Sequence, residues 1–185
     1  MVYSGEMWGK ILNFEASLDN KEVHMRFLGS IEAKTDAKGR AFLPASFRKV
    51  LSTSNEESLI LRKDVFQDCL VLYPESVWNN MLDCLRQKLN RWNKRDQMIY
   101  RQFVSDVEMI TLDGNGRFLI SKRYLRMANI EQHIKFIGMD DCIEIWNNDS
   151  RERFLDTEDF SKALEEAMSD TDTANSQNEE AKLSK

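Results

Sequence analysis

Two short segments contain the residues best suited to contact a charged partner. Residues 36–40 read DAKGR and residues 113–117 read DGNGR, so an aspartate, a glycine and an arginine recur at the same spacing, with an offset of 77 positions. Aspartate can accept hydrogen bonds from backbone amides and glycine tolerates a positive φ, so each segment predicts a tight turn. The match indicates an internal duplication, in which the chain contains the same structural unit twice.

Arg40 and Arg117, which close the two turns, allow two interpretations. Each arginine can pair with the aspartate of its own turn, or it can extend to a phosphate or to a guanine edge, where a bidentate contact is worth roughly 1–3 kcal/mol. An exposed ion pair stabilises a protein by only about 0–1 kcal/mol, which is a weak reason for the motif to occur twice. DNA contact would give the repetition a further reason, and both interpretations stay open at this point.

The sequence lacks the patterns typical of catalytic and metal sites. Its three cysteines are an odd number without C-x-x-C spacing, which predicts neither a disulfide framework nor a zinc site. Cys69 and Cys142 hold equivalent positions in the two halves, which favours core packing. Residues 111–122 resemble a calcium loop but have Lys122 where a bidentate glutamate is required. We therefore predict that the chain is not an enzyme and uses no metal, no cofactor and no small-molecule substrate.

The charge of the chain is unevenly distributed. The formal net charge is -5, but residues 156–185 contain nine acidic and three basic side chains, and residues 1–24 contain four and two. The body from 25 to 155 is left with 21 basic and 18 acidic side chains, a net charge of +3, which is compatible with phosphate contacts. No apolar run approaches the roughly 20 residues of a membrane span, and the start lacks the features of a secretory signal, so we expect a cytoplasmic protein.

The elements that must position the turns also occur twice. A first strand is predicted around residues 27–31, RAFLP predicts a short strand after the turn, and PASFRKVL predicts a helix with Pro44 at its first position. Ser121 replaces Pro44 in the second copy, where a serine is expected to offer its side-chain oxygen to the first helical amides. Each copy ends with two strands, LILRKD with DCLVLYP and IKFIGMD with DCIEIWN.

Helical segments follow both copies. Apolar residues between 77 and 92 recur at helical spacing, which predicts a helical bridge over 75–105, most simply two helices. Trp78 and Trp92 in this bridge belong either to the core or to a subunit contact. A C-terminal helix is expected within 148–168, followed by a disordered acidic tail at 169–185. Residues 1–24 are interpreted as a poorly ordered N-terminal extension.

The paired D-x-x-x-R turns, each followed by an apolar pair and a short helix, and the closing segment FIGMDDCIEIW resemble the MraZ family of transcriptional regulators. The resemblance runs from about Met25 to about Trp146 and into the last helix. It implies an α+β fold with two tandem AbrB/MazE-like repeats of the SpoVT-AbrB type, at 25–74 and 106–147. The repeats are expected to form a swapped-hairpin β-barrel within one chain, with a helical segment after each repeat.

The same resemblance implies a sequence-specific DNA-binding regulator of transcription of the division and cell-wall gene cluster. It implies binding to short direct repeats of double-stranded DNA in the protein's own promoter region, as a ring-shaped homo-oligomer associated with the nucleoid. The residues that match the family's two DNA-binding turns are Asp36, Lys38, Gly39 and Arg40 in the first, and Asp113, Gly116 and Arg117 in the second. A protein-interaction scaffold or an antitoxin-like module on the same barrel remains the alternative.

Overall fold

A computed structural model describes residues 26–150 and 154–168 of the chain. The N-terminal extension predicted at 1–24 and the acidic tail predicted at 169–185 lie outside the described residues. The chain divides into two compact units, one that ends at Asn148 and one that begins at Asp149. The described part of the second unit contains one helix, α5, at residues 157–168, whose side chains are exposed.

In the described part of the first unit, the chain forms eight strands and four helices. The strands are β1 (Phe27–Lys34), β2 (Arg40–Phe42), β3 (Ser58–Lys63), β4 (Leu70–Pro74), β5 (Glu108–Thr111), β6 (Arg117–Leu119), β7 (His133–Asp140) and β8 (Cys142–Asn147). The helices are α1 (Ala45–Thr53), α2 (Glu75–Lys88), α3 (Lys94–Ser105) and α4 (Lys122–Met127). No helix in the described ranges is both long enough and apolar enough to span a bilayer.

Strands from the two halves are combined in one sheet. Six strands form an antiparallel sheet in the order β1-β7-β8-β4-β3-β5, and β2 pairs with β6 in a separate two-stranded ribbon. The pairings of β1 with β7, β4 with β8 and β3 with β5 each join a strand before the helical bridge to a strand after it. The two halves therefore share one folding unit.

The closed β-barrel expected from the resemblance is not detected. A barrel closes only when its last strand hydrogen-bonds to its first. Among the described residues no pairing joins the edge strands β1 and β5, so the six-stranded sheet is open. The structure therefore shows a mixed helix and sheet fold, with a six-stranded antiparallel sheet.

The main core lies between this sheet, the ribbon and two short helices. Phe47 of α1 and Tyr124 of α4 occupy equivalent positions of the two copies, and both are almost fully buried. Phe47 packs edge-to-face against Phe27, with ring centroids 5.7 Å apart. Further members of this core are Leu43, Leu61, Leu72, Phe118, Ile120, Phe136, Ile143 and Ile145. Because side chains from both copies fill it, the core fixes the two turns relative to each other.

A second, smaller cluster contains two of the cysteines. Cys69 is buried beside Val71, Ile137 and Trp146, and Cys142 packs against the same group. Burial raises the pKa of both thiols above their ordinary value, which keeps them protonated and poorly nucleophilic. These contacts agree with the interpretation of Cys69 and Cys142 as packing residues.

The two copies start their short helices in the same way. Pro44 and Ser121 are both N-caps with an extended backbone, at φ -52°, ψ 141° and φ -62°, ψ 150°. Pro44 therefore lies one position before the first helical residue, Ala45, and not at the first helical position as the sequence predicted. The expectation for Ser121 was wrong, because its side chain makes no capping hydrogen bond in the described structure. Since its backbone already has the conformation that precedes a helix, and its carbonyl accepts from the amide of Leu125, the helix starts without the side chain.

The stretch between the copies contains two helices, α2 and α3. Asn93 caps α3, because its side-chain oxygen accepts hydrogen bonds from two amides of the first turn. Trp78 of α2 is 5% exposed and stacks on Phe103 of α3, with ring centroids 5.2 Å apart. Trp92, between the helices, is 94% exposed. Of the two tryptophans, only Trp78 is a core residue of the described chain.

Candidate nucleic-acid interface

The first turn is built around the carboxylate of Asp36. Its Oδ1 accepts hydrogen bonds from the backbone amides of Lys38 and Arg40, at 2.8 and 2.9 Å. Its Oδ2 accepts a hydrogen bond of 2.7 Å from Nε of Arg40. Gly39 closes the turn with a φ of +85°, a conformation that other residues rarely adopt. One side chain thus shapes the loop and holds the arginine at its end.

The second turn repeats this geometry. Oδ1 of Asp113 accepts from the amides of Asn115 and Arg117, at 2.9 and 3.0 Å, and Oδ2 accepts from Nε of Arg117 at 2.8 Å. Gly116 has a φ of +79°. Asn115, which replaces the lysine of the first copy, contributes its backbone amide to this network. The substitution therefore removes a charge but leaves the shape of the turn intact.

These contacts keep both aspartates ionised. The hydrogen bond from the Arg40 amide lowers the pKa of the Asp36 carboxyl below its ordinary 3.8, and the Arg40 side chain adds to the effect. For Asp113, the amide of Arg117 lowers the pKa in the same way. Each turn therefore contains a carboxylate and a guanidinium, whose charges cancel.

The two interpretations of the arginines are compatible in this geometry. Both ion pairs form, and both use Nε of the arginine. In the described residues, the terminal nitrogens Nη1 and Nη2 of Arg40 and Arg117 have no hydrogen-bond partner. A guanidinium has five N–H donors in a fixed plane, so pairing through Nε leaves donors for a second anion. The ion pair thus fixes the direction of the guanidinium without using all of its donors.

The ribbon of β2 and β6 joins the two turns. Arg40 pairs with Leu119, Ala41 with Phe118, and Phe42 with Arg117. Two further hydrogen bonds, from Leu43 to the Gly116 carbonyl at 3.0 Å and from Ile120 to the Gly39 carbonyl at 2.9 Å, tie each strand to the other turn. By this register Arg40 and Arg117 are diagonal neighbours on one face, at a separation of roughly 7–8 Å with their Cβ atoms somewhat closer. The structure thus places the seven predicted site residues at the start of the two ribbon strands and in the turns that precede them.

Two apolar side chains accompany the arginines. Successive strand residues point to opposite faces, so Ala41, Leu43, Phe118 and Ile120 point into the core. Arg40, Phe42, Arg117 and Leu119 share the outward face, which we call the ribbon face. On it Phe42 is 57% and Leu119 49% exposed, and the Arg117 guanidinium lies 5.7 Å from the Phe42 ring. Sequence reasoning did not assign Phe42 or Leu119 to the site, although the alternation of buried and exposed positions could have done so.

Of the other basic side chains near the second turn, Arg123 has a partner. It forms an ion pair with Asp106, which follows α3. This contact links the start of α4 to the end of the helical bridge. Among the described residues no cluster of three or more histidine, cysteine or carboxylate side chains could hold a metal ion.

The chain was matched with known proteins over most of its length. A family model described as "MraZ protein, putative antitoxin-like" matches it twice, at residues 26–102 and 103–172. A protein named Transcriptional regulator MraZ from Phocaeicola vulgatus is 67% identical over 145 residues, which cover 78% of this chain and 94% of that protein. Proteins of the same name from Bacteroides fragilis, 61% identical over 145 residues, and Bacteroides thetaiotaomicron, 60% identical over 147 residues, cover 78% and 79% of this chain and 92% and 94% of their own lengths. The tandem match agrees with the internal duplication, and the chain belongs to the MraZ family.

Proposed function

We propose that this protein is a transcriptional regulator that binds double-stranded DNA through the ribbon face. The observation that carries the proposal is the pair of Asp–Arg turns with equivalent geometry, joined by β2 and β6 so that both guanidinium groups lie on one face. The names of the relatives support it, since they describe transcriptional regulators. Those names also agree with the prediction that the chain is not an enzyme.

In this proposal the seven predicted residues have three different roles. Asp36 and Asp113 orient the arginines, while Gly39 and Gly116 allow the backbone to turn. The terminal nitrogens of the arginines then bind guanine edges or phosphates, and Lys38 adds a phosphate contact at the first turn. Because the aspartates fix the guanidinium groups before DNA arrives, less side-chain freedom is lost on binding.

The apolar members of the ribbon face complete the surface. A two-stranded ribbon is narrow enough to enter the major groove, where apolar side chains contact the methyl group of thymine. Phe42 and Leu119 lie beside the arginines and are half exposed. We assign to them contacts with thymine methyls or with the sugar edges next to the guanidinium sites.

We further propose that several subunits act together as a ring-shaped homo-oligomer on short direct repeats. The proposed target is the protein's own promoter region, upstream of the division and cell-wall genes, and the proposed location is the nucleoid. Two turns per chain offer few contacts, and linked binding events can raise avidity by about 10²- to 10⁴-fold without new contacts. Exposed apolar side chains on the two edge strands, Leu28 of β1 and Met109 of β5, are suited to subunit contacts.

The predicted domain organisation enters this proposal unchanged. We propose repeats at 25–74 and 106–147, a helical bridge at 75–105 and a C-terminal helical segment at 148–168. The exchange of strands between the halves, with β1 beside β7 and β5 beside β3, is the arrangement expected of swapped hairpins. In an assembled ring the exchange would keep the two turns of each chain at a fixed separation.

The test compares DNA binding by the intact protein with that of a double variant, Arg40→Ala with Arg117→Ala. Fluorescence anisotropy with labelled DNA from upstream of the protein's own gene measures affinity at several salt concentrations. The loss of two guanidinium contacts at roughly 1–3 kcal/mol each predicts a decrease in affinity of at least about 30-fold. Arg26→Ala is the matched control, because it removes an exposed arginine that also pairs with an aspartate, Asp140, away from the ribbon.

Circular dichroism and size-exclusion chromatography check whether the double variant keeps its fold and assembly state. Undiminished DNA binding by a folded double variant would show that another surface is responsible. The alternative is a protein-interaction scaffold or an antitoxin-like module, and the family description mentions the second of these. Salt separates the two functions, since affinity that depends on phosphate contacts falls steeply as salt rises. If the protein does not bind its upstream DNA even at low salt, this result would support the alternative function.

A further inference from the structure

The internal duplication is broken at one position beneath the turns. The offset of 77 positions matches Arg48 of α1 with Leu125 of α4. A Cβ atom placed on Gly39 would lie 3.3 Å from Cδ1 of Leu125, so this leucine packs beneath the first turn. A Cβ atom on Gly116 would instead collide with the guanidinium of Arg48. Each half thus supports the turn of the other half, but with an apolar side chain in one case and a cation in the other.

Arg48 is held against the second turn by a specific contact. Its Nη1 donates a hydrogen bond of 3.2 Å to the backbone carbonyl of Asn115. Its Nε is buried without a hydrogen-bond partner, and no carboxylate forms an ion pair with Arg48 in the described residues. Partial burial of a cation is costly unless an anion balances it. The contact with a neutral carbonyl therefore leaves a positive charge beside the turn that no described residue neutralises.

Arg48 gives the second turn the same net charge as the first. In the first turn the charges of Asp36 and Arg40 cancel, and Lys38 leaves a net charge of +1. In the second turn Asp113 and Arg117 cancel as well, but Asn115 is neutral. Arg48 reaches this turn from α1 and brings its net charge to +1. The structure thus supplies from another element the cation that the sequence of the second turn lacks.

We propose that Arg48 is the phosphate-binding cation of the second turn and takes the part that Lys38 takes at the first. The ligand is a phosphate of the DNA backbone, and the inference rests on the proposed function. Arg48 is partly buried and anchored by Nη1, so its remaining terminal nitrogen reaches a phosphate with little further loss of side-chain freedom. Arg117 then contacts the adjacent base or the next phosphate, from a turn that is held by Asp113 within it and by Arg48 from α1.

The test measures how DNA affinity depends on salt, because the slope counts phosphate contacts. For B-DNA the slope of log affinity against log salt changes by about 0.9 for each contact. Arg48→Gln keeps a donor for the Asn115 carbonyl but removes the charge, and we expect the slope to become shallower by about 0.9 for every second turn in contact with DNA. Arg48→Lys keeps the charge and should keep the slope. Arg26→Gln, at an exposed arginine outside the ribbon, is the control and should change nothing.

A compensating variant gives the strongest form of this test. Adding Asn115→Lys to Arg48→Gln places the cation where the first copy has Lys38, and the wild-type slope should return. An unchanged slope in Arg48→Gln, with or without weaker binding, would overturn the inference, because Arg48 would then only support the turn. Arg48→Leu, which copies the residue of the other half, provides a second uncharged variant if the glutamine variant does not fold. Salt-dependent binding by the wild type separates failure of this inference from failure of the proposed function, since a wild type that does not bind DNA overturns both.

Discussion

At the scale of single residues, Arg40 and Arg117 can serve two roles. Nε of each arginine donates to an aspartate at 2.7–2.8 Å, while the terminal nitrogens have no hydrogen-bond partner in the described residues and are the atoms that the proposed function assigns to DNA. Sequence patterns predicted the aspartate, glycine and arginine of each turn because these types have strong local preferences. Arg48 was not predicted as part of the second turn, since its contact with Asn115 spans 67 positions and no local pattern indicates it.

The lowered pKa values of Asp36 and Asp113 predict how these carboxyl groups titrate at acidic pH. A carboxyl group whose pKa is lower in the folded than in the unfolded chain stabilises the fold at any pH above its unfolded pKa, here 3.8. This stabilisation is lost as the pH falls through the lower pKa of the folded state. We therefore expect both carboxyl groups to titrate below 3.8 in the folded protein. Carbon-detected NMR of the carboxyl resonances measures the midpoints.

Two comparisons sharpen the acid prediction. In Arg40→Ala the midpoint of Asp36 should rise only in part, because the amide hydrogen bonds, the larger cause, do not depend on the side chain. The midpoint of Asp113 in the same variant should stay where it is and serves as the internal control. Midpoints at or above 3.8 in the wild type would contradict the hydrogen-bond network described for the turns.

At the scale of elements, local sequence patterns were sufficient to predict strands and helices but not which strands pair. Alternation of apolar residues indicated the strands, and helical periodicity indicated helices between the copies. The expected side-chain cap at Ser121 was wrong, because the extended backbone it shares with Pro44 already starts the helix. Pairing of β2 with β6 and of β3 with β5 could not be derived from the residue patterns, since partner choice depends on contacts between distant parts of the chain. Local patterns therefore predict elements better than they predict neighbours.

The helical bridge gives a stability prediction at the scale of elements. Trp78 lies between Tyr73, at 5.8 Å between ring centroids, and Phe103, at 5.2 Å, so it joins β4, α2 and α3. Its replacement in Trp78→Ala should lower the free energy of unfolding by about 3–5 kcal/mol. Trp92→Ala removes the same side chain from an exposed position and should change it by less than about 0.5 kcal/mol. Urea unfolding followed by far-ultraviolet circular dichroism measures both without relying on tryptophan emission.

The two tryptophan variants also test whether Trp92 forms a subunit contact in the proposed oligomer. If Trp92 packs between subunits, Trp92→Ala should weaken the assembly in sedimentation experiments even though the folded chain is unaffected. Equal losses of unfolding free energy in the two variants would contradict the core position of Trp78. The comparison thus separates the two interpretations that the sequence left open for this pair.

At the scale of the whole molecule, the duplication produces one shared folding unit with a single ribbon face rather than two independent modules. Because β1 needs β7 and β5 needs β3, neither half can complete its sheet alone. The ribbon then fixes the separation of the two turns through backbone hydrogen bonds. In the proposed function such a chain presents a constant pair of guanidinium groups to DNA, so its affinity would increase through the number of chains that bind together.

If several chains of the proposed oligomer bind together, DNA with two repeats should bind far more tightly than DNA with one. Footprinting first locates the proposed repeats upstream of the gene. The affinities of one-repeat and two-repeat probes of equal length, measured by anisotropy, should then differ by about 10²- to 10⁴-fold. Moving one repeat by about 5 base pairs, half a helical turn, places it on the opposite side of the duplex and should remove most of the gain. Equal affinity for all three probes would show that a single chain binds independently of its neighbours, and that the ribbon face alone supplies the affinity.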